Sequence, residues 1–160
     1  MAKLNIIKEG DDTLRKVCRP VKDITPRTLT LLDDMRETLL AADGVGLAAP
    51  QVGVLRRIAL VIDADKDDMI YELINPEIIE RDGEQHELEG CLSVPGKWGF
   101  TNRPMTVTVK ATDRHGKEFT VNATGLTARC LCHEIDHLDG TLFIDHAEMV
   151  SEEELEQMMN

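Results

Sequence analysis

The segment His133-Glu134-Ile135-Asp136-His137 constrains this chain more than any other. Residues four apart on a helix lie one above the other on one face. If the segment is helical, its two imidazoles can therefore grip a single metal ion. Glu134 lies about 100° further round, close enough to reach a water on that ion but badly placed to be a third ligand. This is the geometry of metal-assisted hydrolysis, in which the ion acidifies a water and a carboxylate accepts its proton. Five residues make a permissive pattern, and the bland alternative is an accidental match on a solvated helix.

A catalytic ion needs a third protein ligand. A histidine six positions after His137 would supply one, but Phe143 stands there and His146 comes three positions too late. Glu148, Glu152, Glu153, Glu154 and Glu156 are candidates by type, although a run of acids more often forms a solvated helix face. Among the four cysteines, Cys130 shares the face of His133. Three ligands strung from Cys130 to His137 would ask one ion to span about 10 Å of helix axis, which bonds of about 2.0–2.3 Å cannot do. Cys130 therefore reads as pocket lining, Cys132 as core, and Cys18 as a residue without supporting context. That leaves Cys91 in Glu89-Gly90-Cys91-Leu92-Ser93, where the glycine lets backbone approach an ion or ligand closely. A downstream acid would instead suit a zinc endopeptidase. A fourth ligand from Cys130 or Cys132 would suit a zinc-stabilised binding module, which unfolds on chelation.

A third segment, Gly44-Val45-Gly46-Leu47-Ala48-Ala49-Pro50-Gln51, is stripped of side-chain bulk. A substrate backbone could lie against it, with the Gln51 carboxamide as a neutral donor for a developing oxyanion. The plainer reading is a helix end followed by a tight turn.

The architecture follows from pattern. Thr25-Pro26 marks a helix start, and Leu29, Leu32, Met35, Leu39 and Leu40 recur at helical spacing until Asp43-Gly44. Residues 57–62 and 70–74 are short apolar runs, and 77–81 extends the second past Asn75-Pro76. Residues 105–111 place Val107 and Val109 on one face, turn at 114–117 and return over 118–123 as a hairpin. A helix is expected from about Leu126 to Leu138, and Ser151 opens a last one through a capping box. The fold class is α+β: antiparallel sheets around a central helix that carries the metal motif, with an earlier helix and a short final one. At 160 residues the expectation is one catalytic domain spanning 1–160.

Charge narrows the function. Thirty acidic against eighteen basic residues leave a formal charge of −12, which repels phosphate backbones and argues against direct DNA binding. The longest aliphatic run, Ile58 to Ile62, falls far short of the ~20 residues that span a bilayer. The opening residues lack a signal-peptide pattern, so the expected location is cytoplasmic and the cysteines are expected to be reduced.

Taken in order, the three segments resemble the bacterial peptide deformylases, and the similarity runs from the first helix to about Asp145. The resemblance implies removal of the formyl group from the N-terminal formylmethionine of newly synthesised proteins, with release of formate. It implies Cys91, His133 and His137 as ligands to one divalent metal ion, with Fe²⁺ favoured although Zn²⁺, Ni²⁺ or Co²⁺ also suit the donors. Glu134 would be the general base and then the acid, with Gln51 and the Leu92 N–H stabilising the oxyanion. Gly46 and Gly90 would bond the substrate backbone, while Val45, Leu126, Cys130 and the His133 ring would border the methionine pocket. Glu89 would pair with Arg103. Implied partners are N-formylmethionyl nascent peptides and, with them, the ribosome exit region. Trp98, Arg129 and Glu87 depart from the family's usual choices near the pocket.

Overall fold

The computed structural model describes residues 2–159. Helix α1 spans Pro26–Ala42, and the strands are β1 (Gly46–Ala48), β2 (Ile58–Asp63), β3 (Met69–Asp82), β4 (Gln85–Cys91), β5 (Val94–Arg103), β6 (Thr106–Thr112) and β7 (Glu118–Thr124). Helix α2 follows at Gly125–Leu138, then β8 (Glu148–Val150) and α3 (Glu152–Met159). One antiparallel sheet runs β1-β2-β3-β6-β7 and a second runs β4-β5-β8. This is the α+β arrangement of antiparallel sheets about a motif-bearing helix.

The larger sheet lies between the two long helices, as β2 shows most clearly. Alternate residues of a strand point to opposite faces. Ile58 and Leu60 pack with Leu32, Met35 and Leu39 of α1, while Val61 packs with Leu131 and Ile135 of α2. Both sets are nearly inaccessible to solvent, each such side chain contributing roughly 1.5–3 kcal/mol. A strand covered on both faces reads as a continuous apolar run, which explains the unbroken stretch from Ile58 to Ile62.

Local signals set the helix ends. The Thr25 side chain accepts the Thr28 N–H and Thr28 Oγ1 accepts the Thr25 N–H, a reciprocal cap with Pro26 at the first helical position. At the other end the left-handed residue is Asp43 (φ +56°) rather than the glycine after it; its short polar side chain tolerates that conformation. Leu40 lies off the buried face and is exposed, whereas Thr28 and Thr38 are buried. The acidic final helix opens as expected, with Ser151 Oγ accepting the Glu154 N–H at 3.1 Å.

Strand β3 passes straight through Asn75-Pro76. Asn75 takes φ +53°, and the pairing with β6 slips between Ile74 and Glu77. The bulge falls where proline has no N–H to donate. The Asn75 carboxamide is fixed by the Val21 N–H and carbonyl, each at 2.8 Å. The hairpin turn is held by the Asp113 carboxylate, which accepts the N–H groups of His115 and Lys117. No helix among the described residues is long and apolar enough to cross a membrane.

Candidate active site

Helix α2 presents His133 and His137 on one face, and the end of β4 brings Cys91 to meet them. Cys91 Sγ lies 3.3 Å from His137 Nε2, and the donor atoms of the three residues all fall within 4.8 Å of one another. Tetrahedral bonds of about 2.0–2.3 Å place ligand atoms about 3.3–3.8 Å apart, so one sulfur and two imidazole nitrogens fit a single divalent ion. Among the described residues these are the only His, Cys, Asp or Glu side chains gathered in this way. No downstream glutamate joins them, which removes the endopeptidase arrangement, and neither Cys130 nor Cys132 closes a fourth corner. Burial pushes the Cys130 thiol up to about 12 and the Cys132 thiol up to about 11, so both stay protonated. Cys18, without supporting context in the sequence, is buried in a small cluster with Leu138, and burial pushes its thiol up to about 11.

His133 is oriented from behind, whereas the buried Nδ1 of His137 has no protein partner. His133 Nδ1 lies 2.6 Å from Glu89 Oε2, which leaves Nε2 for the site. Glu89 also takes Nη2 and Nε of Arg103 and the hydroxyl of Thr101, at 2.7, 3.2 and 2.8 Å. Burial alone would raise Glu89, but the hydrogen bonds from His133 and Arg103 outweigh it and hold the carboxyl at about 2. Arg103 reaches on to Asp136 at 2.7 Å, so the fourth letter of the helical motif anchors the same network. Phe143 stands where a third histidine was sought, and it is buried with its ring centroid 6.1 Å from that of His133. The start of α2 is tied to the sheet by Thr127, whose hydroxyl donates to buried Asp63 at 3.1 Å.

Glu134 is 4% exposed, and its Oε1 has no protein hydrogen-bond partner. Burial dominates its titration and raises the carboxyl to about 7 against the pull of His133. His133 is itself raised: burial disfavours its charged form, but Glu134, Cys91 and Glu89 outweigh that. His137 is driven down, first by burial and then by His133. A neutral imidazole is the form that ligates a metal.

The 44–51 segment begins just past the end of α1. It forms β1 and then a tight turn that ends on Gly53. Gln51 is 1% exposed; its Oε1 accepts the Ala48 N–H at 2.9 Å, and its Nε2 donates to Ser93 Oγ at 3.0 Å while facing Cys91 Sγ at 3.7 Å. The glycines make room for the site's own side chains. A Cβ on Gly46 would lie 2.5 Å from Glu134 Oε2, one on Gly44 2.8 Å from Leu92 Cδ1, and one on Gly90 2.6 Å from the Trp98 ring. The resulting cavity, of about 510 Å³, is lined by Val45, Gly46, Gln51, Gly90, Leu92, Leu126, Cys130, His133 and Glu134. Arg129 and Trp98 line it too, whereas Glu87 does not: it is an exposed residue of β4, paired with Thr101 of β5.

The model of the polypeptide deformylase family matches residues 3–153. The chain belongs to that family. It is 52% identical over 158 residues to a peptide deformylase of Acetivibrio thermocellus, covering 98% of this chain and 91% of that one. It is 51% identical over 159 residues to one of Thermoanaerobacter pseudethanolicus, covering 99% and 98%. Among solved structures, a peptide deformylase from Legionella pneumophila superposes with a TM-score of 0.87 at 43% identity, covering 99% of this chain and 90% of that one. One from Ehrlichia chaffeensis in complex with actinonin gives 0.87 at 36%, covering 98% and 94%. The family is metal-dependent, in keeping with the donor set found here.

The sequence reading missed Ser93, Thr101 and Phe143 as supports of the site. Ser93 carried a faint signal, a small hydroxyl two residues from a candidate ligand; the other two gave none.

Proposed function

We propose that Cys91, His133 and His137 hold one divalent ion, Fe²⁺ in the working protein, and that Glu134 is the proton carrier beside it. The reaction is that of the family: hydrolysis of the formyl group from the N-terminal methionine of newly made proteins, with release of formate. One observation carries the reading: a sulfur and two imidazoles converge beside a buried carboxylate oxygen that nothing in the protein satisfies. The bound ion supplies Lewis acidity, polarising the formyl carbonyl and easing loss of a proton from water.

The residues do the rest. Glu134 takes that proton and returns it to the leaving amine. Gln51 Nε2 and the Leu92 N–H donate to the oxygen on which charge develops, each such donor being worth roughly 3–4 kcal/mol. Glu89 keeps the His133 ring in one tautomer. Gly46 and Gly90 bond the substrate backbone, and Val45, Leu126 and Cys130 border the methionine side chain. A formyl carbon bears only hydrogen, so a wall of small residues packed as tightly as Gly46 against Glu134 admits it and rejects bulkier acyl groups. The whole chain acts as one catalytic unit on N-formylmethionyl nascent peptides, in the cytoplasm at the ribosome exit region.

The test is formate release from a formyl-methionyl tripeptide without oxygen, alongside metal analysis. Turnover is expected in the Fe²⁺ form, and Glu134→Ala is expected to lose about 10²–10⁴-fold in rate with the metal still bound. Silence in the Fe²⁺, Ni²⁺ and Zn²⁺ forms alike, or near-normal turnover in the alanine variant, refutes the assignment.

A further inference from the structure

The stretch before α1 runs behind all three motif segments, and its backbone ties them together. The Ile7 N–H donates to the Gln51 carbonyl at 2.7 Å, the Glu9 N–H to the Ser93 carbonyl at 2.7 Å, and the Cys18 N–H to the Leu138 carbonyl at 2.8 Å. These acceptors end the first motif, end the second, and follow His137. In extended chain, N–H groups two residues apart point to the same side, so a single edge at residues 7 and 9 bridges the first two motifs.

The bridged parts belong to different sheets: Gln51 follows β1 of the larger sheet, and Ser93 lies between β4 and β5 of the smaller one. Their side-chain link is the bond from Gln51 Nε2 to Ser93 Oγ, beside Cys91 Sγ. The stretch is itself well anchored. Asp11 caps the turn Asp12–Arg15 through the Thr13 N–H, and Leu14 is 1% exposed. Gly140, at φ +78°, lies so close that a Cβ there would sit 2.5 Å from the Arg15 carbonyl oxygen.

We propose that Ile7 and Glu9 are positioning residues for the reaction, their backbone N–H groups setting the Gln51 carboxamide against the Cys91–Ser93 segment. The inference rests on the reading that Gln51 and Cys91 serve one reacting centre. Releasing either bond lets the two sheets shift relative to each other, and a displacement of about 1 Å at a reacting centre costs roughly 10²-fold in rate. The Glu9 side chain is exposed and takes no part.

The experiment separates backbone from side chain. Glu9→Pro removes the donor, a backbone ester at residue 9 removes it without constraining φ, and Glu9→Ala keeps it. With the formyl-methionyl tripeptide, the first two are expected to lower kcat about 10–100-fold with KM within about threefold, one metal per chain, and full folding at the assay temperature. Glu9→Ala is expected to stay within about twofold of the parent. In the Co²⁺-loaded proteins, the visible bands that report the cysteine–histidine ligand geometry are expected to shift in the ester and proline variants and not in Glu9→Ala. Unchanged kcat and unchanged cobalt bands in the ester variant overturn the proposal. So does a fall in rate that merely matches lost metal or lost fold. A parent protein that releases no formate would instead sink the deformylase reading, and the cobalt bands would still decide this one.

Discussion

Substituting Gly46 by alanine tests whether the first motif serves the carboxylate directly. The added Cβ would sit 2.5 Å from Glu134 Oε2 and 2.9 Å from both Cδ and Cγ. Relaxed contacts of this kind lie near 3.5 Å, so the carboxylate must retreat by about 1 Å. The backbone of α2 cannot yield, because Leu131 and Ile135 on either side are packed in the core. The movement therefore falls on the Glu134 side chain, at a strain of about 0.5–1.5 kcal/mol. The stability change is small, but a misplacement of about 1 Å costs roughly 10²-fold in rate. Formate release should fall by that factor while metal content stays at one ion per chain, since no ligand is touched. The decisive assay is a double-mutant cycle with Glu134→Ala. If Gly46 acts through Glu134, the alanine at 46 should have little further effect once the carboxylate is gone. A single variant within about threefold of the parent, or two effects that simply add, would refute the reasoning.

Glu89→Gln keeps the shape but removes the charge that His133, Arg103 and Thr101 share; metal affinity, measured by competition with a chelator, should weaken about 10–100-fold. A saturating ion joins Cys91 on β4 to two histidines on α2, so thermal unfolding should rise with metal supply. At a hundredfold excess over Kd the gain is about 2.7 kcal/mol, or about 5–11 °C for a chain of this length, and the metal-free protein should still unfold cooperatively. Away from the site, burial would raise Glu72, but the hydrogen bonds and charges of Arg114 and Arg36 outweigh it and hold the carboxyl below its ordinary 4.5. Its contribution is therefore present above about pH 4.5 and is lost as pH falls through the lowered value. The gap in melting temperature between the parent and Glu72→Gln should be open at neutral pH and close under acid.

What the sequence disclosed was local. Thr25-Pro26 and Ser151-Glu154 cap their helices with neighbours three residues away, and Val107 and Val109 alternate along one strand, so a short window of text suffices. The spacing of His133 and His137 is likewise a property of one helix. Strands β4, β5 and β8 were not legible. Gly90 interrupts β4 and Gly96 and Gly99 interrupt β5, β8 is only three residues long, and the pairing joins Trp98 to Val150 across some fifty residues. Cys18 sits among charged neighbours, and only the fold reveals that it is covered by α2. The stop after α1 was read on Gly44, yet Asp43 takes the left-handed turn and Gly44 answers to Leu92, a residue almost fifty positions on. Local propensity cannot encode that demand.

The three tight glycine contacts decide how this cavity can be re-cut. Two of them join different motifs, Gly44 to Leu92 and Gly46 to Glu134, and the third sets Gly90 against Trp98 of the neighbouring strand, so no wall can be thickened without thinning its opposite number. Opposite Gly46 stands the carboxylate itself, and nothing there can be traded. Opposite Gly90 stands an indole at the rim, outside the chemistry, and a larger residue at 90 can be matched by a smaller one at 98. Redesign for new acyl chains or new blocking compounds therefore has an open route along the outer edge, in paired exchanges, and a closed one at the centre.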